Sequence, residues 1–196
     1  LSYCTNVHPG RTVAEVEAGL DRFTVPVRTR FGKPLAAGLW LARPVVSEML
    51  AESDGLRRFA DRLGDRGLTC HTLNAFPFGD FHDDRVKEAV YRPDWTTADR
   101  LRYTVDCATV LATLLPPDVD GSISTVPLGF KAFGHPPAFL DAAADVIVEC
   151  ARAFDRIRSD TGRTIRLAVE PEPFCVRETT AEAVDFFAGE ARVANK

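Results

Sequence analysis

A chain of 196 residues, 45% hydrophobic and 27% charged, has the composition of one ordinary globular domain. Its net charge of −4 and pI near 5.6 argue against a nucleic-acid partner. No apolar run reaches the ~20 residues that a membrane-spanning helix needs, and the scattered cysteines (Cys4, Cys70, Cys107, Cys150, Cys175) form no CxxC pair, which suits reduced, mostly buried thiols in the cytoplasm.

Leu1–Thr5 reads as a short strand, followed by the polar turn Asn6-Val7-His8-Pro9-Gly10. Thr12 and Glu15 form a capping-box pattern for a helix with Val16, Leu20 and Phe23 on one face. Leu35–Ala42 is the next apolar run. The following helix starts near Pro44, carries Val46, Met49 and Leu50, breaks at Asp54-Gly55 and resumes through Leu56, Phe59, Ala60 and Leu63 to Gly67. Leu68–Phe76 is a third strand. A long connection from Pro77 to about Trp95 holds Gly79, Asp80 and His82, with room for a short helix around Arg85–Tyr91. A loop of about 20 residues in a compact domain is more often a lid or binding loop than idle chain.

Thr96 and Asp99 resemble the next cap, with Leu101, Val105, Ala108, Leu111 and Leu115 as the buried face and Pro116-Pro117 as the stop. Val119–Leu128 supplies a fourth strand centred on Ser122–Val126. Pro136-Pro137 opens a helix whose Phe139, Ala143, Val146, Ile147, Cys150, Phe154 and Ile157 recur at spacings of three and four, with Gly162 at its C′ position. In the fifth strand, Ile165, Leu167, Ala168 and Val169 form a run of the kind buried on both faces of parallel sheets. It ends at Glu170-Pro171-Glu172-Pro173, because proline cannot donate to a strand ladder. Thr179 and Glu182 cap a last helix through Val184, Phe187 and Ala191.

Five alternations of strand and helix without a hairpin signal predict parallel βαβ units. The chain lacks GxGxxG, GxxxxGK[ST] and GxSxG, so dinucleotide, P-loop and serine-hydrolase readings lose support. Polar residues recur at strand ends instead: His8, Asn74, Ser124 and Glu170. That recurrence favours a (β/α) barrel, whose site is assembled from several strand ends at one rim. Glu170, rigidly aimed from a strand terminus, is the best candidate for a metal ligand and general base. Glu172 stands beside it as a substrate contact or a solvated loop residue. His8 either reaches the same rim as a second ligand or is a surface histidine. Asp80 and His82 are substrate contacts or internal hydrogen bonds of the long loop. His71 falls on the opposite face from Asn74 and packs beneath a helix, and His135 belongs to the start of its helix.

Leu167-Ala168-Val169-Glu170-Pro171, followed by Arg177-Glu178-Thr179, resembles the fifth strand and loop of sugar isomerases and epimerases with a xylose-isomerase-like TIM barrel. The match is closer to one family. Leu1-Ser2-Tyr3-Cys4-Thr5-Asn6-Val7-His8-Pro9-Gly10, Asn74-Ala75-Phe76-Pro77-Phe78-Gly79-Asp80-Phe81-His82, Tyr91-Arg92-Pro93-Asp94-Trp95, Gly121-Ser122-Ile123-Ser124-Thr125-Val126-Pro127-Leu128-Gly129 and Glu170-Pro171-Glu172-Pro173 resemble the EboE family of metabolite traffic proteins. The resemblance implies a cytoplasmic protein of a bacterial metabolite-export cluster, with other proteins of that cluster as partners. It implies a divalent metal (Mn, Mg, Zn or Co) on Glu170, isomerase or epimerase chemistry on a small secondary-metabolite precursor, and substrate contacts from Asn74, Asp80, His82, Ser124, Glu172 and Glu178. A non-catalytic carrier that uses the barrel pocket is the alternative, and metal-assisted phosphoester hydrolysis a third. Where relatives continue with Leu-Asn-Arg after Glu-Pro, this chain has Glu172-Pro173-Phe174. The resemblance also implies that residues 1–196 are a partial barrel of about five βα units. Strands six to eight, with the remaining Asp, His and Glu ligands, are expected outside the chain. Five strands alone would leave two open edges, so this stretch by itself is expected to lack turnover and to aggregate.

Overall fold

The computed structural model describes residues 1–79 and 88–190. Five strands form one parallel sheet in sequence order: β1 (Ser2–Cys4), β2 (Ala36–Trp40), β3 (Thr69–Asn74), β4 (Gly121–Thr125) and β5 (Ile165–Val169). Between β1 and β2, α1 (Val13–Gly19) continues through a wide π turn at Leu20–Thr24 into α2 (Val25–Phe31). Helices α3 (Arg43–Ala51) and α4 (Gly55–Asp65) link β2 to β3, α5 (Ala98–Leu114) links β3 to β4, and α6 (Phe139–Thr161) links β4 to β5. Helix α7 (Thr180–Glu190) follows β5. Among the described residues the strand order never reverses, so this sheet shows no switch point of the kind a doubly wound fold has. Right-handed crossovers then place successive helices on one face, where α5 packs against α3, α4 and α6.

Pleating divides the sheet into two unlike faces. Leu39, Leu73 and Ile123 share one row and are fully buried beneath the helices. On the other face Thr72, Ser122 and Arg166 stand side by side, followed one pleat on by Asn74, Ser124 and Ala168. Ser122 donates to Thr72 Oγ1 across the strands (3.0 Å). Small and polar residues here remain half-buried or exposed. The expectation that β5 is buried on both faces therefore fails. Arg166 and Ala168 are exposed, because β5 pairs on one side only among the described residues and its second face carries no helix.

Local signals place most element ends. Thr12 accepts from the Glu15 N–H (3.2 Å) while Glu15 accepts from the Arg11 N–H (2.6 Å), a reciprocal cap. At α5 the cap is Thr97 rather than Thr96, accepting from the Arg100 N–H (3.3 Å). The buried face of α5 includes the expected Ala108, Leu111 and Leu115 but is wider than expected. Arg100, Tyr103, Thr104 and Cys107 are buried, whereas Leu101 and Val105 are half-buried. Neighbours on both flanks, as well as the sheet beneath, widen the buried arc beyond a single stripe. In the long connection Ala89–Tyr91 forms a 3-10 turn and Arg92–Pro93 is cis, while Asp80 and His82 lie outside the described residues. All five cysteines are free, Cys4 exposed and the others buried. No helix among the described residues is long and apolar enough to cross a membrane.

Candidate functional site

Parallel strands deliver their carboxyl ends to one rim, and there a cleft of about 350 Å³ opens. It is lined by Asn6 from the turn after β1, Asn74, Phe76 and Pro77 from the end of β3, and Glu170, Pro171 and Glu172 from the end of β5. Glu170 extends the ladder one residue past β5, its N–H donating to Thr125 O (3.1 Å), and Pro171 then stops the pairing. Its carboxylate is thus anchored at the backbone while remaining exposed to solvent. Asn74 folds an Asx turn in which its Oδ1 accepts from the Phe76 N–H (2.9 Å).

The wall after β3 is braced from beneath. Ala75 O accepts from Arg100 Nη1 (2.6 Å), and Pro77 O accepts from both Trp40 Nε1 (3.1 Å) and the Tyr103 hydroxyl (3.1 Å). Phe78 O accepts from the Arg43 N–H (2.8 Å). Behind Phe76 an aromatic group continues outward, with Tyr91 edge-on to Phe76 (5.6 Å) and stacked on Phe130 (4.4 Å).

The opposite wall is equally constrained. The Glu172 N–H donates to Arg177 O (3.1 Å), and Val176 N–H and Phe174 O join the backbone of Gly129 (2.8 Å) and Lys131 (3.0 Å). This lacing holds Phe174 at φ +70° with its side chain 70% exposed. A left-handed conformation costs a residue with a Cβ about 1–2 kcal/mol. Phe174→Gly is therefore expected to raise unfolding stability by about 0.5 kcal/mol after the glycine entropy cost, read by urea titration. An unchanged or lowered midpoint would show that the Phe174 ring makes compensating contacts.

Two carboxylates share the cleft, and this shows in Glu172. Burial raises its pKa, and the neighbouring charge of Glu170 raises it further. A folded-state pKa above the unfolded one means that stability falls as pH rises from the ordinary glutamate range through the folded pKa. Glu172→Gln is thus expected to be more stable than wild type at neutral pH, by about 0.5 kcal/mol allowing for solvent screening. The advantage should vanish in acid, below the ordinary glutamate pKa; denaturant titrations at the two pH values check this. Burial, then Glu172 and Glu178, push the Cys175 thiol up to about 12, which leaves it protonated and unreactive at neutral pH.

Of the residues singled out in the sequence, the structure brings Glu170, Glu172 and Asn74 together. Ser124 lies beside Asn74 in the sheet, its carbonyl accepting from the Ala75 N–H (2.9 Å), but it does not line the cleft. Glu178 clamps its own loop by pairing with Lys131 Nζ (2.6 Å) and accepting from the Phe174 N–H. The Lys131 hydrogen bond, then the one from Phe174, lower its pKa. His8 belongs to another cavity, where its ring stacks on Phe23 (3.8 Å) and its Nε2 meets the Tyr3 hydroxyl (2.7 Å). His71 alternates with Thr72 and sits half-buried, and His135 Nε2 bonds Phe130 O (2.8 Å) ahead of α6. Sequence reasoning missed Asn6 and Phe76 as lining residues. Asn6 could have been found by the same signal as Asn74, an amide just past an apolar strand.

No protein-family model matches this sequence, and no curated protein matches it at a significant level.

Proposed function

We propose that the cleft binds a small hydroxylated carbonyl metabolite and that Glu170 exchanges a proton with the carbon next to the carbonyl, in a (β/α) barrel of xylose-isomerase type resembling the EboE family. One observation carries the reading: Glu170, Glu172, Asn6 and Asn74, from three separate strand ends, meet in one cleft. The unidirectional strand order and the polar second face of the sheet support the barrel.

Among the described residues no group of three His, Cys, Asp or Glu side chains is placed to hold a metal ion. The donors present in the cleft are carboxylate and amide oxygens, a set that fits a hard divalent cation such as Mg²⁺ or Mn²⁺ better than Zn²⁺ or Co²⁺. Glu170 and Glu172 would hold it, and bound there it would polarise the substrate carbonyl and relieve the repulsion between the two carboxylates. Glu170 takes the proton as the C–H bond breaks, and the electron pair moves into the adjoining carbonyl. The hydroxyl proton on that carbon passes to the former carbonyl oxygen, and return of the abstracted proton to the former carbonyl carbon gives the isomer. The Asn6 and Asn74 amides bind substrate hydroxyls, and Phe76 and Pro77 keep water from one side.

Incubating the full-length protein with aldoses, ketoses and 2-hydroxyketones in D₂O with Mg²⁺ or Mn²⁺, and following the C–H signal by ¹H NMR, tests this. Solvent deuterium should enter at the carbon next to the carbonyl of at least one compound. Binding without exchange would assign the cleft to a metabolite carrier, and no binding at all would end the proposal.

A further inference from the structure

We propose that one water molecule is a built-in part of this protein, held in the cavity between the π turn of the first helix and the end of β1 by the hydroxyls of Thr24 and Thr5. The cavity measures about 20 Å³ and is lined by Thr5, His8, Val16, Leu20, Thr24 and Trp40 among others. On this measure about 10–15 Å³ suffices for one water. Among the described residues no carboxylate lines it, which disfavours a cation.

Thr24 shows why the site is polar. Its side chain is fully buried, and its Oγ1 has no hydrogen-bond partner among the described residues. Other helical threonines in this chain satisfy theirs locally. Thr29, Thr104 and Thr109 each donate to the carbonyl four residues back, at 3.0, 2.9 and 3.2 Å. In the wide turn the corresponding carbonyl, Leu20 O, accepts from the Val25 N–H instead, five residues on. Thr24, in the wide turn, makes no such bond among the described residues, and it lines the cavity. An unmade hydrogen bond at a fully buried hydroxyl costs free energy that a water can recover. Thr5 offers the second partner. Its Oγ1 accepts from the Trp40 N–H (3.0 Å), leaving its own proton to donate. Thr5 directly precedes Asn6, so the water braces the turn that carries Asn6 into the cleft.

The test is a high-resolution crystal structure of the full chain together with thermal unfolding of Thr24→Val and Thr24→Ser. Density for a water bonded to both hydroxyls is expected. Thr24→Val, isosteric but unable to bond the water, should melt about 3 °C below wild type, and Thr24→Ser should stay closer to wild type. A dry cavity in wild type would overturn the proposal. So would a Thr24→Val variant that melts at or above wild type, since removing a hydroxyl with no partner relieves a cost rather than adding one.

Discussion

Replacing Arg100 by methionine is expected to destabilise the fold by about 3 kcal/mol. Arg100 is completely buried in the first turn of α5, where its Nη1 donates to Ala75 O (2.6 Å) and its Nε to Pro93 O (2.8 Å). Burial lowers its pKa to about 10, so the guanidinium remains charged at neutral pH. Two hydrogen bonds from a charged donor contribute about 1.5–3 kcal/mol each, and methionine leaves both buried carbonyls unpaired. Part of that loss is offset because a guanidinium, with Nη2 unpartnered among the described residues, no longer has to be desolvated. Lysine is a compact point charge that can reach one carbonyl but not both, so Arg100→Lys should lose about 2 kcal/mol. Alanine adds a cavity and should lose about 4 kcal/mol. Urea unfolding followed by the fluorescence of the buried Trp40 and Trp95 measures all three. Variants indistinguishable from wild type would show that Ala75 and Pro93 find other donors.

The largest expected effect on activity is at Glu170. If proton exchange runs through its carboxylate, Glu170→Gln keeps the shape and the backbone bond to Thr125 O but cannot accept a proton. Deuterium incorporation should fall by about 10²–10⁴-fold. Metabolite affinity should change far less, because the Asn6 and Asn74 amides remain in place. Glu172→Gln should retain measurable exchange while weakening any divalent cation, since it removes one of two negative charges without touching the base. Full exchange in Glu170→Gln would assign the base elsewhere and leave Glu170 as a binding group.

The alternation of elements was legible in the sequence because local rules govern it. Capping boxes at Thr12 and Thr179, the glycine at 162 with φ +70° and the prolines after Leu115 and Val169 each act within a few residues of themselves. Glu170 was legible for the same reason: a strand that must stop leaves its next side chain at the rim. What escaped depends on distant chain. Arg100 lies at a position that reads as a charged helix start, and only the fold shows Ala75 and Pro93 waiting for its guanidinium. The exposure of Arg166 and Ala168 reflects what covers a sheet face, which no run of apolar letters reports. His8 and Glu170 both follow strands, yet the turn after β1 sends the imidazole toward Phe23 and leaves Asn6 in the cleft. The π turn at Leu20–Thr24 left no mark in the periodicity of Val16, Leu20 and Phe23.

The proposed function requires carboxylates and amides from three strand ends to act as one binding site. Substoichiometric Mn²⁺ added to ¹⁵N-labelled protein measures this directly, because paramagnetic broadening falls steeply with distance. The side-chain amide signals of Asn6 and Asn74 should broaden first, and Glu170→Gln/Glu172→Gln should abolish the effect. Broadening spread over the acidic surface, with Asn6 and Asn74 unaffected, would contradict it.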